Sequence, residues 1–390
     1  MFPYYSEEGK VVNKKKLVRI FIMLVFMPLI SLADQDDKPI EVREALTKPV
    51  INSDDEVSDP DTGYIYQGVW QDSLNPFAIK TLRLPGFDRG CVVTTSSNHL
   101  HIIQFISDSW QNISRIQFSM SHYDYYGGYS WITGDLDNDG TDEIIACLDS
   151  LVNKYKWNGK KFLAQTALFP YLIEQVRVGD VNNDGENELV FFCGESLPHE
   201  RIGYPYHLCI AKWKDTELNI LWDDSIKLGY GVRNMPDFLI LIADVINKGY
   251  NQLLISRSQS DVSPTAYNLL KWNDKKGFLE FNKSFRITDK IVPSDSHIHS
   301  LPFISGRLNS LTKDDTTFLS GFMVTEGEKH SEFYYDILKI EGDSLIQARP
   351  IFNGLTSGTC FIDIDGKGIG LLVIWREPPT TTHQFRFYRL

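Results

Sequence analysis

Two thirteen-residue stretches constrain this chain more than any other feature. The first is Gly134-Asp135-Leu136-Asp137-Asn138-Asp139-Gly140-Thr141-Asp142-Glu143-Ile144-Ile145-Ala146. Counted from Asp135, it carries carboxylates at positions 1, 3, 5 and 9: Asp135, Asp137, Asp139 and Glu143. Four acids this close repel one another unless a hard cation sits among them, and Ca²⁺ accepts six to eight oxygens in a flexible shell. Gly140 stands where the chain turns sharply and a left-handed backbone costs least without a Cβ. Thr141 offers a backbone carbonyl. The second stretch, Gly179 to Phe191, repeats the pattern with Asp180, Asn182, Asp184 and Glu188 in the ligand places and the Glu186 carbonyl beside them. It starts 45 residues after the first, a repeat length typical of propeller blades.

Two other calcium loops share the first half of this motif, and both want an acid at position 12. That position is Ala146 in one copy and Phe191 in the other. The runs leaving the two loops, Ile144-Ile145-Ala146-Cys147 and Leu189-Val190-Phe191-Phe192, read as short buried strands, not helices. The stretch resembles the FG-GAP/VCBS repeat family of integrin-type β-propellers, over about 134–191. The resemblance implies that each loop joins the first and second strands of a blade. It also implies that Ca²⁺ stiffens a module that binds protein or glycan ligands.

The repeat continues on either side. Third strands end in Lys156-Trp157, Lys212-Trp213 and Lys271-Trp272, and Lys339-Ile340 echoes them. Asn158-Gly159 is a strong hairpin turn. The loop around Asp244 keeps its first acid but has Ile246 and Lys248 where oxygens would be needed; Ser305–Asn309 has lost the first acid, and Asp363–Gly368 puts Lys367 in the third place. Pro85–Gly90 is a remnant. Lysines in such loops can stand in electrostatically for a missing cation, and an ordinary turn explains them equally well.

The final unit has only three strands of its own, near 359–362, 371–375 and 384–390, while Tyr64–Trp70 is a β-rich run standing alone. An open sheet edge invites wrong pairing, so the orphan run is expected to complete the last unit. The expectation is an all-β chain: one propeller over 62–390 with six four-stranded blades, closed by an N-terminal strand in the last blade. Seven blades is the alternative, if 64–90 hides one more.

Residues 1–33 read as a signal peptide: Lys10, Lys14, Lys15, Lys16 and Arg19 precede the apolar run Ile20–Ile30, and Ser31-Leu32-Ala33 supplies a cleavage site. The run is shorter than a membrane span, so the mature protein is expected to be exported and not membrane-spanning. Residues 34–61 are acidic, contain proline and lack periodicity, as a disordered linker would. The net charge of −12 leaves no basic surplus to displace counterions from a nucleic acid.

Of five cysteines, Cys91, Cys147 and Cys360 lie in apolar runs and read as core; Cys193 and Cys209 bracket the 194–208 insertion and are placed to close it as a disulfide in an oxidising compartment. His99/His101 and His297/His299 have the i, i+2 spacing of one strand face, which alternating polar residues produce equally well. Tyrosine clusters at 123–129 and 204–206 suit a recognition surface or packing between blades. No nucleophile elbow, zinc-protease or phosphate-loop motif occurs. Two function classes stay open: an exported, calcium-stabilised binding module, or a polysaccharide-active lyase or hydrolase on the same scaffold.

Overall fold

The computed structural model describes residues 65–72, 78–87, 90–96, 99–106, 109–118, 130–194, 206–226, 238–244, 248–257, 266–287, 297–300, 317–326, 330–341, 344–353, 356–362, 370–376 and 383–389. All belong to the compact unit Glu44–Leu390. The expected signal segment and linker, the 123–129 tyrosines, Tyr204 and the loops at 305–309 and 363–368 lie outside the described residues.

Among the described residues every regular element is a strand, and none is a helix long and apolar enough to cross a membrane. The orphan run forms β1 (Ile65–Asp72). Then come β2 (Ile79–Leu82), β3 (Cys91–Ser96), β4 (His99–Ile106) and β5 (Ser109–Gln117), an antiparallel meander. The next is β6 (Trp131–Gly134), β7 (Glu143–Leu148), β8 (Leu151–Trp157) and β9 (Phe162–Leu168). The third is β10 (Leu172–Gly179), β11 (Glu188–Gly194), β12 (Tyr206–Lys214) and β13 (Glu217–Ile226).

Strands β14 (Phe238–Ala243), β15 (Gln252–Arg257), β16 (Ala266–Asn273) and β17 (Phe278–Ile287) repeat the order once more, as do β18 (His297–Ser300), β19 (Thr317–Glu326), β20 (His330–Glu341) and β21 (Ser344–Asn353). A two-residue parallel pairing, Arg286 with Ser344 and Ile287 with Leu345, joins these two meanders edge to edge. Finally β22 (Thr356–Ile362), β23 (Gly370–Arg376) and β24 (His383–Arg389) form a meander whose fourth strand is β1, antiparallel to β24 from Ile65↔Arg389 to Asp72↔His383.

The central strands read as continuous apolar runs because both of their faces are covered. In β3, Cys91 and Val93 pack toward the β6–β9 sheet, while Val92 meets Cys360 and Ile362 of β22. In β7, Ile144 and Ala146 face the β2–β5 sheet and Ile145 and Cys147 face the β10–β13 sheet. In β11, Leu189, Phe191 and Cys193 look back while Val190 and Phe192 look forward to Ile240, Leu253 and Ile255. A two-residue period thus serves two interfaces at once, each fully buried large apolar side chain contributing about 1.5–3 kcal/mol. The expected core cysteines are buried in these layers.

The glycine that opens each acidic stretch has a packing cause. A Cβ on Gly134 would lie 3.0 Å from Val178 Cβ and Cγ1 of β10, and one on Gly179 would lie 3.0 Å from Ile242 Cγ2 of β14. The first strands of successive sheets approach so closely here that no side chain fits between them.

Candidate functional site

The two acidic stretches join β6 to β7 and β10 to β11, the first and second strands of their sheets. A third connection of the same length, from Asp244 to Gln252, joins β14 to β15. All three share a backbone frame. The position-1 aspartate accepts the N–H of the position-6 glycine: Gly140 to Asp135 (2.9 Å), Gly185 to Asp180 (3.0 Å), Gly249 to Asp244 (2.7 Å). Those glycines have φ of 86°, 88° and 81°, and Asn138 and Asn183 at position 4 have φ of 59° and 62°, a region asparagine tolerates better than most side chains. The buried position-9 glutamate closes the other end, Glu143 accepting from Leu136 N–H (2.8 Å) and Glu188 from Val181 N–H (2.9 Å).

Each loop also holds the next. Asn187 N–H donates to Asn138 Oδ1 (2.9 Å), Asn138 Nδ2 to the Gly185 carbonyl (2.8 Å), and Asn187 Nδ2 to the Asp135 carbonyl (2.6 Å). One sheet further on, Asn251 N–H donates to Asn183 Oδ1 (2.6 Å) and Asn251 Nδ2 to the Asp180 carbonyl (2.8 Å). One sheet earlier, Asp142 takes the same position-8 place: its carboxylate accepts from Arg83 N (2.7 Å), Nε (3.0 Å) and Nη2 (2.7 Å), and its N–H donates to the Arg83 carbonyl (3.0 Å). These clasps were not foreseen. The signal was an Asx residue at position 8 in all three of these loops, Asp142, Asn187 and Asn251, which local reading treats as a turn residue.

Of the expected ligands in the first loop, Asp135, Asp137 and Glu143 bring oxygens within 4.8 Å of one another. Asp139 is exposed and Thr141 half-buried, with Thr141 N–H donating to Asp139 Oδ1 (2.9 Å). Two buried oxygens, Asp135 Oδ1 and Glu143 Oε1, have no hydrogen-bond partner. Burial first, and then the Asp137 charge, push Glu143 up to about 7. The first loop therefore fits a divalent cation: it has oxygen ligands to spare and too little positive charge.

In the second loop the counterparts of those two oxygens are occupied: Asp180 Oδ1 accepts the Asp184 N–H (3.1 Å) and Glu188 Oε1 accepts from Asn182 Nδ2 (3.0 Å), which also donates to Asp184 Oδ2 (3.0 Å). Glu186 N–H donates to Asp184 Oδ1 (2.9 Å), while its carboxylate meets Lys212. The fit to a cation is poorer.

The lysines of the Lys-Trp pairs enter both clusters. Tyr155 pairs with Ile144 and Ala211 with Leu189 across their strands, so Lys156 and Lys212 each arrive at the exit of their own loop. Lys156 Nζ lies 2.5 Å from Asp137, 2.6 Å from Asp139 and 3.4 Å from Glu143 Oε1. Lys212 Nζ lies 2.6 Å from Asp184, 2.8 Å from Glu186 and 3.3 Å from Glu188. Burial alone would lower both ammonium pKa values; the carboxylates overcome it and raise them. The tryptophans turn the other way: Trp157, Trp213 and Trp272 pack at the interfaces with their preceding sheets.

The remaining candidates resolve differently. His99 and His101 do share a face, with ring centroids 5.9 Å apart. His101 is buried and its pKa falls to about 4, through burial and then the nearby His99 and Arg115. Cys193 and Cys209 are free, buried thiols with sulfurs 3.5 Å apart. Beside them Asp223 accepts from Tyr171 Oη (2.5 Å) and lies 2.8 Å from His207 Nδ1, on whose ring Tyr171 stacks. This network ties the residue just before β10 to β12 and β13.

No family model and no curated protein matches the chain. Among solved structures, BBS1N in complex with ARL6DN aligns at 10% identity, covering 80% of this chain and 91% of that one, with a TM-score of 0.42. A putative exo-beta-1,3-galactanase from Bifidobacterium bifidum aligns at 14% identity, covering 75% and 88%, with a TM-score of 0.36. The N-terminal domain of Nup159 aligns at 10% identity, covering 77% and 74%, with a TM-score of 0.34. At this depth the similarity identifies neither a family nor an activity.

Proposed function

We propose that this chain is an exported six-bladed β-propeller, closed by β1 in its last sheet, that acts as a binding scaffold for a protein or glycan ligand. The observation that carries this reading is the belt of clasps Arg83–Asp142, Asn138–Asn187 and Asn183–Asn251, which locks homologous loops of four consecutive sheets into one rim. Binding residues are most often carried on loops that a rigid scaffold positions. A rim whose loops hold one another offers a fixed surface at little ordering cost. The packing of consecutive sheets and the β1–β24 pairing support the ring.

Ca²⁺ at the first loop is part of this reading. Asp135, Asp137 and Glu143 would hold it, with Asp139 and the Thr141 carbonyl completing the shell, and the ion would neutralise the cluster and stiffen the rim. It has no assigned catalytic role. A lyase or hydrolase would need a further set of converging acids or bases.

The test is a glycan array and a defined protein-ligand panel probed with the mature chain, with and without chelator, alongside N-terminal sequencing of the natural protein. Saturable binding weakened by Asp142→Ala, and a mature terminus near Asp34, are the expected results. Turnover of a polysaccharide, or an intact Met1 on a cytoplasmic protein, overturns the reading.

A further inference from the structure

We propose that Lys156 and Lys212, the lysines of the first two Lys-Trp pairs, are the counter-cations of their own loops. At the first loop a divalent ion must displace Lys156, whereas the second loop is closed permanently by Lys212 and Asn182. The first half rests on the proposed calcium site; the second does not.

Three connections of equal length show the same frame with different charge. In the first, one ammonium reaches Asp137, Asp139 and Glu143, while the buried Asp135 Oδ1 and Glu143 Oε1 accept no hydrogen bond, Glu143 Oε1 on a side chain that is 0% exposed and 3.4 Å from Lys156 Nζ. In the second, position 3 has become Asn182, whose amide nitrogen occupies Asp184 and Glu188, and Lys212 bridges Asp184, Glu186 and Glu188. In the third, the sequence places Ile246, Lys248 and Gln252 at positions 3, 5 and 9. Yet Asp244 still accepts the Lys248 and Gly249 N–H groups (2.8 and 2.7 Å), and Asn251 still clasps the loop before it. The frame therefore forms where few ligand oxygens remain, so it does not depend on a metal.

What the acids require is neutralisation, and strand register delivers a lysine to the first two loops. Lys156 is 37% exposed against 23% for Lys212, and it has no amide beside it sharing the work. It is the one that can swing to solvent when an ion arrives.

Calorimetry with Ca²⁺ and melting in chelator, on the full chain and its variants, test this. The wild-type chain is expected to bind one ion. Lys156→Met should melt lower in chelator and bind Ca²⁺ on the order of tenfold more tightly, because a like charge about 4 Å from the ion is gone. Lys156→Arg should restore the melting temperature. Lys212→Met should melt lower and gain no ion, while Lys212→Met with Asn182→Asp should gain a second. Two ions on the wild-type chain, or a Lys156→Met chain with unchanged melting and affinity, overturn the proposal. If no variant binds Ca²⁺ while both lysine variants melt lower, the calcium reading falls and the lysine closure stands.

Discussion

Replacing Gly134 by alanine adds a single methyl at the tightest approach between two sheets. Its Cβ would sit 3.0 Å from both Cβ and Cγ1 of Val178, against the 3.5–4.0 Å at which carbon contacts are favourable. Rotating Val178 moves Cγ1 but not Cβ, so β6 and β10 must part by a few tenths of an ångström. Forcing a methylene into a packed layer costs about 1–3 kcal/mol. The backbone gain of glycine to alanine, about 0.4–1 kcal/mol, offsets part of that. The expected net loss is about 1–2 kcal/mol, read as a lower urea midpoint with an unchanged slope.

Val178→Ala removes Cγ1 from the clash, so the double variant should be less damaged than the sum of the singles by about 1 kcal/mol. Gly140→Ala is the control: its Cβ meets open space, and its cost comes from φ +86° alone. It should therefore show no coupling to Val178. A Gly134→Ala chain as stable as wild type would refute the claim that this glycine exists for close approach.

Asp142→Ala should cost about 1.5–3 kcal/mol, because a nearly buried carboxylate loses charge-assisted bonds and Arg83 N–H loses its acceptor. Arg83→Ala should cost under about 1 kcal/mol, since that side chain is 66% exposed and the backbone N–H survives; thermal melts compare the two. Stability should fall between pH 6.5 and 4 through His101. The unfolded state takes up a proton near the ordinary imidazole value, the folded state only near 4, so the contribution is intact above 6.5 and lost on acidification. The limit is roughly 3 kcal/mol, and His101→Gln should flatten the pH profile of the urea midpoint. Deleting Ile65–Asp72 strips the partner from β24 and should lower the melting temperature and promote aggregation, measured by light scattering.

The strand–loop–strand units, the 45-residue period and the glycine turns were legible in the sequence, because each is set by a few adjacent residues and by burial that alternates with period two. The partner of the orphan strand was legible too, since three strands at one end and one at the other leave a single economical pairing. Tertiary structure decided what the loop residues do. Asp142, Asn187 and Asn251 stand where any turn would accept a polar side chain, and only the neighbouring loop, 49 to 71 residues away along the chain, shows that they are clasps. Lys156 and Lys212 read only as recurring ends of third strands until pairing register carries them to the carboxylates. Gly134 looked like part of a cation-binding motif, and its cause is Val178 of the next sheet. Local sequence specifies backbone shape and which face is apolar; it does not specify which distant charge or methyl group will arrive at a given atom, because that depends on how whole sheets stack.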